Sequence, residues 1–216
     1  IPGASGSAVI AGAPVARTTA RPFTIGYLAR ICHDKGLHLL TEAFALLHER
    51  GRHCRLAVAG YLGQSDLKYF EELSTGIRKR ALHEHVDYLG EVDRDGKYRM
   101  LQSVDLFSVP TVYREAKGLY ILEAMSQGVP VVQPSHGSFP ELIESTGGGV
   151  LFEPHRADAL ADAIEQLMDD EPRRTALGRA GREAIRSRFT DDHMAEAAWA
   201  VFENVVRQSS NMREAP

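Results

Sequence analysis

From Phe23 onward, short apolar runs alternate with amphipathic stretches, and that alternation leaves few folds open. Phe23 to Ala29 reads as a strand, after which Leu37, Leu40, Phe44 and Leu47 line one side of a helix that Gly51 stops. Cys54 to Ala59 is a second strand, and Leu67, Phe70, Leu73 and Ile77 place a helix over Asp66 to Ala81. Val86 to Leu89, Leu106 to Val109, Val131 to Val132 and Val150 to Phe152 continue the strands. Between and after them, helices are expected over Lys97 to Ser103, over Pro140 to Ser145 and under the stripe Leu160, Ile164, Leu167, Met168. Strands and helices at this spacing predict an α/β fold, a doubly wound parallel sheet of about six strands. Right-handed crossovers would put helices on both faces. Further helices are expected over Glu183 to Phe189 and over Met194 to Val206, the latter carrying Trp199 and Phe202.

With 216 residues and 44% hydrophobic content, the chain can bury one substantial core. Residues 1–20 are rich in Ala, Gly, Ser and Thr and read as a linker, 21–208 as one domain and 209–216 as a tail. A net charge of −4 argues against nucleic-acid binding, which favours a basic stripe. No apolar run approaches the length of a membrane span. The chain begins at Ile1, and its first residues lack the basic and apolar regions of a secretory signal, so a piece of a larger polypeptide is the simpler expectation. Cys32 and Cys54 show no metal-ligand or redox spacing; they fit a reducing, cytoplasmic setting, with a bridge between them left open.

Chemistry concentrates around Glu115 and Glu123, which have seven residues between them. Val104 to Pro110 reads as a strand running into a loop, the stretch after Gly118 as a helix, and Val129 to Pro134 as the next strand. Glu115 would then sit at a helix entrance and Glu123 about two turns inside. A helix entrance offers unpaired N–H groups and the positive end of a dipole, a ready anion site. An anion site flanked by two hydroxyl-binding carboxylates suits a nucleotide diphosphate-sugar, whose diphosphate lies between two hydroxyl-bearing sugars.

This arrangement resembles the Glu-x7-Glu motif of group 1 glycosyltransferases with the GT-B fold, the retaining, metal-independent kind. Ile25-Gly-Tyr-Leu-Ala-Arg-Ile-Cys-His-Asp-Lys-Gly-Leu37 is similar to the family's first strand and Arg-x4-Lys-Gly loop. Leu56 to Gly60 and Val86 to Gly90 match its second and third strands, and Leu122-Glu-Ala-Met125 frames the acidic pair. The resemblance covers about residues 22 to 190. It implies that Arg30 and Lys35 hold the donor's diphosphate, completed by N–H groups around Gly118, Leu119 and Tyr120. It further implies that Glu123 accepts from the ribose hydroxyls, that Glu115 faces the donor sugar, and that the loop at Gly90 and Glu91 meets the base. Arg30, Lys35 and Glu115 would be the catalytic set. No metal and no cofactor are implied, the nucleotide-sugar being a substrate. The acceptor would belong to an N-terminal domain for which this chain has no room, and any peripheral membrane contact would come through that missing half. The chain departs from the family at Ala116-Lys117, where Gly-Phe is commoner, which leaves donor preference open.

Rival readings keep their place. Arg30 and Lys35 could be a solvated loop paired with Asp34, Glu115 could complement a helix dipole, and Glu123 could be an ordinary exposed residue. His136-Gly-Ser138 could face the donor or form a plain turn. Asp93-Arg-Asp95 spells a metal-binding Asp-x-Asp but fits better as a cap on a helix beginning near Gly96. His83-Glu-His85 fits a surface turn better than a metal site. A dinucleotide dehydrogenase is disfavoured because the first turn lacks Gly-x-Gly-x-x-Gly. A non-catalytic nucleotide- or partner-binding module, a GT-B phosphorylase and an epimerase remain as alternative functions.

Overall fold

The computed structural model describes residues 21–213. The expected linker at 1–20 and the last three residues of the expected tail lie outside them. Six strands form one parallel sheet: β1 (Phe23–Leu28), β2 (Cys54–Ala59), β3 (Val86–Gly90), β4 (Leu106–Phe107), β5 (Val131–Pro134) and β6 (Gly149–Phe152). Their spatial order is β3-β2-β1-β4-β5-β6. The helices are α1 (Leu37–Glu49), α2 (Leu67–Lys79), α3 (Arg94–Ser103), α4 (Leu119–Ser126), α5 (Phe139–Thr146), α6 (Ala157–Asp169), α7 (Glu171–Arg188) and α8 (Asp191–Arg213).

Helices cover both faces of the sheet. α1 packs with α2 and α6, while α4 and α5 pack with α7. A parallel sheet covered in this way has strands apolar throughout rather than alternating. β1 shows it: Thr24, Ile25, Gly26 and Tyr27 are all buried, with Ile25 opposite Leu56 on one side and Leu106 on the other.

β4 is shorter than the expected Leu106 to Val109. Ser108 still donates to the Gly26 carbonyl (3.0 Å) and, through Oγ, to that of Val132 (2.7 Å). Beyond it the chain reaches Pro110, which has no N–H with which to continue a ladder. α3 starts at Arg94, with Asp93 as the cap accepting from the Gly96 N–H at 2.7 Å. His83–His85 forms one turn of 3-10 helix. α7 is far longer than the expected Glu183 to Phe189, and α8 runs on to Arg213 through the first part of the expected tail. Cys32 and Cys54 are both free and buried, so no bridge joins them.

The order of the strands fixes where a ligand can sit. From β1 the chain moves outward to β2 and β3; from β4 it moves the other way to β5 and β6. β1 and β4 are neighbours from which the chain runs on in opposite directions, which makes the crevice beyond their carboxyl ends the switch point where open α/β sheets bind ligands.

Candidate functional site

The crevice is walled by two loops that hold each other. After β1, a 3-10 turn at His33–Lys35 ends on Gly36, whose φ of 72° is left-handed. A Cβ at Gly36 would stand 1.8 Å from the Pro110 carbonyl oxygen, so only glycine lets the β1 loop lie on the β4 loop here. The Val112 N–H donates to the Asp34 carbonyl at 3.0 Å, a second stitch between them.

Across this seam Lys35 meets Glu115. Nζ lies 2.6 Å from Oε2, with the lysine side chain 18% and the glutamate 11% exposed, so water screens the pair little. Nζ also donates to the Tyr113 hydroxyl at 2.5 Å, and that hydroxyl donates to the same Oε2 at 2.6 Å. The Tyr120 hydroxyl adds a bond to Oε2 at 3.1 Å. The rings of Tyr113 and Tyr120 stand 5.0 and 5.1 Å from Nζ, within cation–π range. The other oxygen, Oε1, accepts from the backbone N–H groups of Ala116 (3.0 Å) and Lys117 (3.4 Å). Burial alone would raise the Glu115 carboxyl. The hydrogen bonds from Lys35 and Tyr113 and the lysine charge outweigh it and draw the pKa down to about 2. Desolvation likewise works against the Lys35 ammonium, but the Glu115 and Tyr113 bonds prevail and its pKa rises. Glu115 is thus an ionised anchor for Lys35, with both oxygens engaged by its own neighbourhood.

Gly118 is the N-cap of α4 and no side chain caps the helix, so its first-turn N–H groups at Leu119 and Tyr120 face the loop end of the sheet without a side-chain acceptor. Glu123 is the fifth residue of α4, little more than one turn inside rather than about two, since a turn takes about 3.6 residues and the helix starts, as expected, after Gly118. It is not an isolated surface carboxylate: Lys97 of α3 reaches its Oε1 at 2.5 Å.

Arg30 lies at the same end of the sheet, exposed, with its guanidinium donating to the Cys32 sulfur, a bond that raises its pKa. Among the described residues no hydrogen bond or ion pair joins Arg30 to Lys35 or Glu115. Gly90 ends β3, its carbonyl accepting from the Gly60 N–H at 2.8 Å, and Glu91 beside it is exposed. Both sit at the carboxyl end of β3, the edge strand two places from β1.

The loop after β5 is tied to the loop after β4. The Ser138 N–H donates to the Glu115 carbonyl at 2.8 Å, and His136 Nε2 donates to that of Thr111 at 3.0 Å. Burial, the largest influence on His136, lowers its pKa. His136 Nδ1 and Ser138 Oγ are buried without a hydrogen-bond partner among the described residues.

Two residues of the site escaped the sequence reading, Tyr113 and Lys97. Tyr113 stands two positions before Glu115 and could have been caught as its neighbour. Lys97 carries no local signal, since its partner lies on another helix. Among the described residues no group of three or more His, Cys, Asp or Glu side chains is placed to hold a metal. No described helix is long and apolar enough to cross a membrane.

An open parallel sheet with a lysine, a carboxylate and an uncapped helix end at its switch point places the chain among the doubly wound α/β domains, which bind ligands beyond their strand ends. The family model described as Glycosyl transferases group 1 matches residues 15–184. The chain is 32% identical to a lipopolysaccharide core biosynthesis mannosyltransferase, LpsB, of Rhizobium meliloti (strain 1021), over 85% of this chain and 52% of that protein. A solved C-terminal domain of a group 1 glycosyl transferase (LpcC) from Francisella tularensis superposes with a TM-score of 0.70 at 23% identity, covering 78% of this chain and 87% of that one. Anabaena Alr3699/HepE, solved with UDP and glucose, gives 0.75 at 25% identity over 84% of this chain and 49% of that one. The chain belongs to the group 1 glycosyl transferases and is a glycosyltransferase domain with the Rossmann-like fold of GT-B C-terminal domains. It spans about half the length of the curated relatives it matches.

Proposed function

We propose that this domain binds a nucleotide diphosphate-sugar in the β1/β4 crevice and supports metal-independent, retaining transfer of the sugar. The observation that carries the reading is Lys35 held by Glu115 at the mouth of that crevice, 2.6 Å apart and largely shielded. An ammonium has three donors, and Glu115 and Tyr113 take two of them. The third is left for a phosphate oxygen. As the bond from the anomeric carbon to the diphosphate breaks, charge builds on the leaving oxygen, and a fixed cation stabilises it without having to reorganise. A unit pair near 4 Å is worth about 4 kcal/mol at an effective dielectric of about 20. The α4 N-terminus, in which Gly118, Leu119 and Tyr120 present backbone N–H groups, adds about 0.3–1 kcal/mol. Arg30 supplies a second cation with a planar fork for phosphate oxygens.

Glu123 accepts from the ribose hydroxyls, and Gly90 and Glu91 border the base. Glu115 faces the sugar through the network it shares with Lys35 and Tyr120. Retention follows if acceptor attack and diphosphate departure share one face of the sugar. The acceptor is bound by another domain of a longer polypeptide, in keeping with the chain's spanning half of its relatives, and any membrane contact comes through that domain. The nucleotide-sugar is a substrate, no cofactor is needed, and the setting is cytoplasmic. HepE's complex with UDP and LpsB's mannosyltransferase name support the donor class without choosing the base.

Calorimetric titration of the chain with UDP, GDP and ADP tests the reading. One of the three should bind without added metal, and Lys35→Ala should weaken it about tenfold or more, the loss of a charge-assisted bond. Absence of binding, or affinity indifferent to Lys35, would overturn it. The chain alone should transfer little sugar compared with the full-length enzyme; equal turnover would place the acceptor site here instead.

A further inference from the structure

We propose that Lys97 is a positioning residue that makes the site selective for ribonucleotides, by holding the Glu123 carboxylate in the one orientation that accepts a vicinal diol. The inference rests on the reading that Glu123 meets the ribose. Lys97 and Glu123 lie 26 residues apart on different helices, and Nζ stands 2.5 Å from Oε1. A glutamate side chain on a helix otherwise samples several rotamers, each placing its oxygens differently. With Oε1 occupied by the ammonium, Oε2 is left to accept from hydroxyls.

The clamp has a rigid base on both sides. α3 is fixed at its start by the Asp93 cap, where the Gly96 N–H donates at 2.7 Å, and along its length by buried Met100 and Leu101. α4 is fixed by buried Ile121, Ala124 and Met125. A second tie, Gln102 to Gln127 at 3.0 Å, joins the two helices further along, so their separation is set independently of the ion pair. Glu123 follows Tyr120 by three positions and therefore shares its side of α4. That side points to the crevice, because the Tyr120 hydroxyl bonds Glu115. Lys97 also lies soon after Gly90 and Glu91 in the chain, so α3 links the segment bordering the base to the carboxylate meeting the sugar ring.

With side chains 26% and 37% exposed, the pair is too wet to matter much for stability, so its role should appear in recognition rather than in folding. The test is calorimetry with the full chain, using UDP and GDP, each beside its 2′-deoxy and 3′-deoxy counterparts. Wild type should prefer the ribonucleotide that binds by about tenfold, as expected for bonds to a charged acceptor. Lys97→Met should bring that ratio close to one while leaving the deoxynucleotide affinity and the thermal melt near wild type. Lys97→Arg should restore part of the ratio. A Lys97→Met protein that keeps the wild-type ratio, or that loses affinity equally for both nucleotides, would overturn the inference. A wild type that binds no nucleotide, or shows no preference, would remove the ribose reading itself and the inference with it.

Discussion

Glu115 is a carboxylate that its surroundings pull in two directions. Burial favours the neutral acid, whereas Lys35, Tyr113 and the Lys117 N–H favour the anion, and the anion wins with a pKa of about 2 against an ordinary 4.5. A group whose pKa is depressed on folding contributes stability above its unfolded value and loses it as pH falls through the folded one. The Glu115 contribution should therefore be complete at neutral pH and disappear between about pH 4.5 and pH 2. Denaturant titration at a series of pH values measures this. Lys35→Met should cost about 1–3 kcal/mol at pH 7 and flatten the acid limb, because it removes both a hydrogen bond and the charge that depresses the pKa. An acid limb of unchanged slope in that variant would show that Lys35 does not hold Glu115 ionised. Lys35 and Glu115 were legible in the sequence because each sits in a motif with its own spacing. What they do to each other was not, since 80 positions separate them and contact depends on the sheet. The same holds for Tyr113, whose hydroxyl matters only because a distant lysine arrives beside it.

Among the elements, α7 shows where periodicity misleads. Its first half, Glu171 to Gly181, carries arginines and two glycines and gives little apolar stripe, so only the end from Glu183 was expected. Pro172 in the first turn is compatible with a helix start, and Gly178 and Gly181 are themselves the packing surface. A Cβ at Gly178 would lie 2.3 Å from the Gly128 carbonyl oxygen, and one at Gly181 would lie 3.0 Å from the Gly148 Cα. α7 thus presses backbone to backbone on two turns, the one from α4 to β5 at Gly128 and the one from α5 to β6 at Gly148. Gly178→Ala should destabilise the protein by about 1–3 kcal/mol through overpacking. It should also weaken nucleotide binding, because α4 carries Tyr120 and Glu123. Gly76→Ala in α2 is the control: its nearest neighbour is the flexible Arg80 tip at 3.7 Å, and alanine there should stabilise by about 0.5–1 kcal/mol. Thermal melts of both variants decide the matter, and similar shifts would refute the packing argument. The strands and the amphipathic helices were easier to foresee, because a doubly covered strand writes its burial directly as an apolar run.

For the molecule as a whole, a doubly wound parallel sheet was readable from alternation alone, and the strand order the structure adds brings the β1 and β4 loops together. The site therefore exists only once both halves of the sheet have joined. α8 stands apart from this economy of contacts. Trp199, Val201, Phe202 and Val205 are 55 to 67% exposed along it. Trp199 is the chain's single tryptophan, and its indole N–H donates to Glu203 on the same helix, at 2.9 Å. Intrinsic fluorescence excited at the indole will accordingly start red-shifted and change little when the core melts. Its colour will report instead on the surroundings of that helix, making the native residue a built-in dye for α8 rather than for the core.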